Sequence, residues 1–405
     1  MLFADLNDTL TLVLAIGDGK SLDPLTARRA TAAMPFGGSY RVIDFALTNC
    51  LHSGLRRILV MTQYNGLSLH NHIRDGWSIY NTDLGEFITP VTPPVGSTTS
   101  TYAGSADALQ KNLYLLDGAS ESHVLIVSGE QVYRMDYAAL LSWHKHTKAD
   151  VTLGCVPREQ VNGGSFSEAL ECDGDDIVQI HRAAAGDIDE QWLPAMGVCV
   201  IRRERLIDLL DNVEPETLDT ASIGELVGEH LDEFERPSAY RFGGSSGRVS
   251  QDKYWRRLDS LDDYYSANMD LLELDPPLDL YQSNWPIRTY QTQRPPARTV
   301  PGRSINEGIC VNSIVSGGTV IAGGGVNHSV LGNRVYIDDG ATVEDSILFS
   351  DVHIGDGAQI RRCICDRGVV VPSGEQIGFE SARDAERFTL TDAGVVVVPA
   401  DFSFE

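Results

Sequence analysis

From about residue 309 onward, apolar residues recur every six positions, and this period constrains the fold more than any other feature of the chain. The series runs Ile314, Val320, Val326, then Ile337, Val343, Phe349, then Val352, Ala358, Ile364 and Val370, with glycines at the corners, as in "VIAGGGV" and "HIGDGAQI". A six-residue repeat of short strands predicts a parallel β-helix, in which each coil stacks on the last and buries a continuous apolar column. The alternative, an antiparallel sandwich, would need period-two strands separated by longer turn signals.

Upstream the pattern is different. "TLTLVLAIG", "RRILVMTQY", "HVLIVSGEQVYRM" and "DVTLGCVP" read as strands, while "SYRVIDFALTNCLHSG", "GSADALQKNLYLLDGA" and "DYAALLSWHKH" read as helices. This alternation predicts an α/β domain with a parallel sheet covered by helices on both faces. Ligands in such sheets sit beyond the strand C-termini, where "AIGDGKS" and "SGEQ" fall. The stretch "PPLDLYQSNWPIRTYQTQRPPARTV" is rich in Pro and aromatics and reads as a packed linker. Three parts follow: 1–275, a Pro-rich linker over 276–308, and 309–405.

Charge and cysteine content narrow the class. A net charge of -25 repels a polyanion, so no nucleic-acid partner is expected. No apolar run reaches the roughly 18 to 20 residues that span a bilayer, and the N-terminus lacks a basic start, so a cytoplasmic protein without membrane contact is expected. Seven cysteines without paired spacing suit reduced thiols, and Cys363 and Cys365 form a lone C-x-C expected to be structural. Lysine occurs at Lys20, Lys111, Lys145, Lys148 and Lys253 alone, so most positive charge is Arg.

Segments spread over residues 10 to 395, in order and at matching spacing, resemble ADP-glucose pyrophosphorylase, also called glucose-1-phosphate adenylyltransferase. They include "PLTARRATAAMPFGGSYRVIDFALTNCLHSGLRRILVMTQY", "HNHIRDGWSIYN", "YAGSADALQKNL", "YWRRLDSLDDYYSANMDL" and "RRCICDRGVVVPSGEQIG". The resemblance implies a Rossmann-like nucleotidyltransferase domain followed by a left-handed parallel β-helix domain, in a tetramer. It also implies AMP transfer from ATP to glucose 1-phosphate with Mg2+, under control of anionic metabolites, toward glycogen.

Such chemistry needs donors, cations and metal at fixed positions around the phosphates. The family's loop G-G-x-G-T-R-L reads here Ile16, Gly17, Asp18, Gly19, Lys20, Ser21, Leu22, so Ser21 stands where an arginine holds the triphosphate. Lys20 is the one cation left to reach phosphate there. The lysine of R-A-K-P is Thr31. The metal-binding G-D is Gly129-Glu130, and the second metal acid is Arg257, with Asp259 two residues on as a weak substitute. The lysine of E-K-P that binds the sugar phosphate aligns with Ala183, beside His181 and Arg182, and S-M-G becomes Ala195, Met196, Gly197. In an extended segment Arg257 and Asp259 point the same way and can pair with each other.

Each lost group costs on the order of 10²- to 10³-fold in rate. The expectation is therefore a non-catalytic homologue with no cofactor, acting as a regulatory subunit with catalytic subunits of the family in a heterotetramer, or as a homo-oligomer. Candidates for gripping an anionic effector or nucleotide are Arg28, Arg29, Gln63, Arg361, Arg362 and Arg367. The alternative for these arginines is pairing with the abundant surface acids. Trp77, Asp107 and Trp285 are expected to keep the fold. The alternative is an active adenylyltransferase in which Lys20 and Arg182 cover for lost cations and Glu130 with Asp259 holds Mg2+.

Overall fold

The computed structural model describes residues 6–94, 101–158, 166–182, 191–213, 221–244 and 253–404. A nine-stranded sheet forms the N-terminal part, with strands β1 (Thr9–Ala15), β2 (Arg57–Thr62), β3 (Phe87–Val91), β4 (His123–Ser128), β5 (Val151–Cys155), β6 (Glu168–Asp173), β7 (Asp176–Arg182), β8 (Leu193–Arg202) and β9 (Pro237–Arg241). Their spatial order is β3-β2-β1-β4-β8-β5-β9-β7-β6. β2, β1 and β4 pair in parallel, as the alternating pattern predicts, and β3, a strand the sequence reading did not identify, adds to β2 in the same direction.

The sheet as a whole is mixed rather than parallel. β6 and β7 form an antiparallel hairpin across the two-residue turn Gly174-Asp175, with Gly174 at φ 64. So short a turn leaves no room for a crossover helix. β8 then inserts antiparallel between β4 and β5. Apolar strand faces pack under helices α1 (Ile43–Ser53), α2 (Leu67–Trp77) and α3 (Tyr137–Thr147) on one side, and under shorter helices such as Ser105–Lys111 and Arg203–Asp211 on the other.

The C-terminal region winds three parallel sheets of five, five and six strands; one antiparallel strand, Thr389–Leu390, closes the last. This is the expected left-handed parallel β-helix. Stacked partners such as Ile337, Ile354 and Val371 are 17 residues apart. A 17-residue coil drifts one position per turn against a strict hexad. Hence Val370, on the predicted series, is 59% exposed while Val371 is buried, and Val320 is half-buried beside buried Ile321.

The third sheet is apolar on both faces, and this ties the two parts together. Leu331, Leu348, Cys363, Cys365 and Val396 face the β-helix interior. Val330, Ile347, Ile364 and Val397 face outward into a second core shared with Leu22, Met34, Phe36, Phe45, Tyr264 and Trp285 of the preceding parts. The C-x-C is thus packing: its two sulfurs lie buried 3.6 Å apart. Trp285 donates from its indole N–H to Asn49 Oδ1 at 3.2 Å, and Trp77 donates to Asp44 at 3.0 Å, so both serve the core. Asp107 holds Lys111 at 2.7 Å within one helix. Among the described residues, no helix is long and apolar enough to cross a membrane.

Candidate functional site

β1 ends at Ala15 and the chain turns through Ile16 to Ser21 at the C-terminal edge of the sheet. Gly19 sits at φ 73, where an added Cβ would come within 2.9 Å of Thr26, so the turn requires glycine there. Thr26 closes the loop by donating its hydroxyl to the Gly19 carbonyl at 2.7 Å. The loop shape of a phosphate cradle is present.

Its donors are directed inward. The Gly17 N–H donates to Glu130 Oε1 at 2.9 Å, and a Cβ on Gly17 would lie 2.5 Å from Glu130 Oε2. The carboxylate of the chain itself therefore lies against the backbone that a phosphate would approach. Burial pushes the Glu130 carboxyl up to about 7, against the Gly17 hydrogen bond and the Arg257 charge that favour its anion. Lys20 folds back on Asp18, Nζ to Oδ2 at 2.8 Å, and Asp18 also accepts from the Lys20 N–H. Ser21 is exposed, and Thr31 is buried in a short turn.

A two-stranded ribbon explains why Arg257 meets this acid. Gln131–Tyr133 pairs antiparallel with Trp255–Arg257, placing Arg257 opposite Gln131, next to Glu130. Arg257 Nε lies 3.0 Å from Asp259 Oδ2, and its Nη1 donates to Ser167 Oγ at 3.1 Å. Burial lifts the Asp259 carboxyl despite that pairing. The residues present do not fit Mg2+: one carboxylate, half-buried, already accepts from the Gly17 amide, and the other is matched by the Arg257 guanidinium, whose charge also acts on the first.

Between these groups lies a cavity of about 240 Å³ lined by Ile16, Glu130, Glu168, Gly197, Ser222 and Arg257. This is below the roughly 300 to 1,000 Å³ of ordinary small-molecule pockets. Glu168 lines it as a buried acid whose carboxyl is raised by burial, and it accepts from the Ser222 hydroxyl. An isolated acid in "SFSEALE" gives no sequence signal of this, because its neighbours arrive from a helix more than fifty residues on. Ala195 and Gly197 also line the cavity. Arg182 and His181 are engaged elsewhere. Arg182 forms a forked pair with Glu225, and His181 stacks on Trp192 with its Nε2 2.8 Å from Glu171. Ala183 lies outside the described residues.

The effector candidates divide. Arg28, Arg29 and Arg367 converge on one cleft of about 380 Å³ at the junction with the β-helix, joined by Arg41, Arg294 and Arg334. Arg29 pairs with buried Asp366 at 2.7 Å and lies over the Phe349 ring, while Arg334 and Arg367 grip Asp351 from either side. Burial, together with the neighbouring guanidiniums, lowers the Arg41 and Arg294 pKa values. Six arginines here face fewer acids than they can match, so pairing alone does not account for them.

Gln63, Arg361 and Arg362 lie elsewhere. Gln63 spans the nucleotide loop, donating to the Ile16 carbonyl and accepting from the Tyr102 N–H at 2.7 Å. Arg361 is exposed, and Arg362 donates to the Ala393 carbonyl at 2.8 Å, because the strand 359–361 belongs to a different sheet of the helix from the one facing the junction. Arg334 was the readable omission. Arg334 and Asp351 lie 17 residues, one coil, apart, and Arg367, 16 residues further on, reaches back to the same carboxylate.

Two family models match the chain: "Nucleotidyl transferase" over residues 10–273 and "GlmU-like, C-terminal hexapeptide" over residues 295–398. Among similar proteins, glucose-1-phosphate adenylyltransferase 2 of Vibrio parahaemolyticus is 46% identical over 98% of this chain and 100% of its own length. The protein of that name from Vibrio cholerae is 43% identical over 98% and 99%. Glucose-1-phosphate adenylyltransferase of Koribacter versatilis is 36% identical over 98% and 96%. The two matched models, the length of these alignments and the loop-and-sheet geometry agree, and the chain belongs to the glucose-1-phosphate adenylyltransferase, or ADP-glucose pyrophosphorylase, family.

Proposed function

We propose that this chain is a non-catalytic member of its family, a cytoplasmic regulatory subunit that joins catalytic subunits and changes their response to anionic effectors during ADP-glucose synthesis for glycogen. The observation that carries the reading is the Gly17 amide given to Glu130 within the chain, beside an Arg257–Asp259 pair where the family's metal acid belongs. A triphosphate entering this loop would meet a carboxylate and an exposed Asp18 that partly offsets the Lys20 charge. Loss of four preorganised groups, each worth on the order of 10²- to 10³-fold, exceeds what the remaining scaffold can restore.

The arginine cleft supports the regulatory half of the reading. It lies at the junction of the two parts, so an anion bridging Arg28 and Arg367 would tie the nucleotidyltransferase domain to the β-helix. Assembly would use surfaces inherited from a homo-oligomer, which accept a closely similar partner. The names of the Vibrio relatives favour a second reading, an active adenylyltransferase with substituted residues.

Co-expression with a catalytic member, followed by size-exclusion chromatography and effector titration, tests the proposal. A mixed oligomer whose activation constant differs from that of the catalytic subunit alone is expected. Two separate populations with unchanged activation would overturn it.

A further inference from the structure

A cleft distant from both sites opens at the opposite end of the nucleotidyltransferase sheet. β4 begins at His123 and β8 ends at Arg202, and these two residues are register partners. The nucleotide loop faces the other end of β4, at Ser128. α3 also ends here: Lys148, at φ 55, turns the chain from the helix into β5. The resulting cleft of about 580 Å³ is lined by His123, His144, Lys145, Lys148, Arg202 and Arg203, with Glu121 and Glu204 as its acids.

The charge of this cleft is opposite to that of the chain. The protein carries a net charge of -25 and only five lysines, and two of those five meet here. Glu121 is engaged by Arg57 at 2.6 Å, and Asp8 accepts from the Ser122 N–H and hydroxyl, lies 3.8 Å from His123 Nδ1 and is within reach of the Lys145 charge. Asp150 lies 3.6 Å from Arg202. Arg203 donates from Nε and Nη1 to the carbonyls of Glu121 and Leu116, and no carboxylate among the described residues pairs with it. Lysines at a helix C-terminus are ordinary, since they complement its free carbonyls. That accounts for Lys145 and Lys148 but not for two arginines delivered by a strand.

His144 supplies an independent observation. Its side chain is 1% exposed, its Nδ1 is 2.8 Å from the Thr152 hydroxyl, and its ring meets His123 edge-on at 5.3 Å. Its Nε2 is buried with no hydrogen-bond partner among the described residues. Burial, with His123, Arg202 and Lys145 nearby, pushes the imidazole down to about 3, so it is neutral. Buried polar atoms without partners are rare in folded proteins and call for a ligand or water.

We propose that this cleft binds a phosphoryl-bearing anion, with Lys145, Lys148, Arg202 and Arg203 as its cationic wall and His144 Nε2–H as a donor when Thr152 donates to Nδ1. A phosphoryl group offers the three acceptor oxygens such a wall would use, and the cleft is large enough for an attached organic group. The inference does not rest on the regulatory-subunit reading, because none of its residues touches the nucleotide loop or the arginine cleft.

Histidine side-chain NMR of the full-length protein, selectively labelled with 15N-histidine, reads the site directly. The probes are inorganic phosphate and glycerol 3-phosphate, with chloride at matched ionic strength as control. Saturable shifts of His123 and His144 are expected with phosphoryl probes and not with chloride. Affinity should fall about 10-fold or more in Lys145→Gln/Lys148→Gln and stay unchanged in Arg28→Gln/Arg367→Gln, which removes the other cationic cleft. Tighter saturation by the ester identifies an organic phosphate as ligand, and tighter saturation by phosphate identifies the free ion. No saturable shift with either probe, equal shifts with chloride, or full response in both the double lysine variant and Arg202→Gln would overturn the proposal.

Discussion

Replacing Glu130 by Gln tests the internal occupation of the phosphate loop. The amide keeps an oxygen to accept from Gly17 N–H but stays neutral at every pH. In the native chain, burial raises the Glu130 carboxyl from 4.5 to about 7. A group raised on folding contributes stability that is fully present below its unfolded pKa and is lost as pH rises through its folded pKa. The window is therefore about pH 4.5 to 7, and the shift corresponds to about 3 kcal/mol lost across it. Glu168 and Asp259 are raised by burial too, so the native pH profile mixes several groups. The difference between Glu130→Gln and the native chain isolates one. Urea unfolding of both proteins at a series of pH values should show the variant gaining about 3 kcal/mol relative to native between pH 4.5 and 8. A difference that stays flat with pH would refute the buried, amide-bound carboxyl.

Three further outcomes follow from named contacts. Asp366→Ala leaves Arg29 buried without its 2.7 Å partner at the junction of the two parts, and thermal unfolding should register a loss of about 3 to 5 kcal/mol. Gly17→Ala brings a Cβ to within 2.5 Å of Glu130 Oε2, so the carboxylate must move and give up its bond to the Gly17 N–H, at a cost of about 1 kcal/mol. That cost should largely vanish in a Glu130→Ala background, a coupling measurable by a double-mutant cycle. Ser21→Arg with Thr31→Lys and Arg257→Asp restores three charges at the loop, and adenylyltransferase turnover should rise above that of the native chain. No gain would mean that the 240 Å³ cavity, not the missing charge, blocks substrate.

How far the sequence spoke depended on the range of the interaction. The hexad series announced the β-helix because coil stacking repeats a local pattern. Its phase was misread at Val320 and Val370, since a one-residue drift per coil is invisible in any single turn. Strands β1, β2, β4 and β5 were readable from their alternation with helices, while β3, Phe87–Val91, was not. The antiparallel insertion of β8 was not, because strand direction is decided by the hairpin connections after β5. At the site, Ser21, Thr31 and Arg257 stood out as chemical types before any geometry was known. The Arg257–Asp259 pair follows from two-residue spacing along a strand, while the Glu130–Gly17 bond joins residues 113 positions apart and needs the sheet to bring them together. Likewise Arg28 and Arg367 were legible as cations, but Arg41, Arg294 and Arg334 join them only once the β-helix docks. Gln63 went the other way: the amide of "TQY" braces the nucleotide loop.

The most direct test of the central claim is adenylyltransferase activity of the purified chain with ATP, glucose 1-phosphate and Mg2+, alone and then mixed with a catalytic member of the family. No turnover alone and a changed activation curve in the mixture are expected. Robust turnover by the chain alone would contradict that claim.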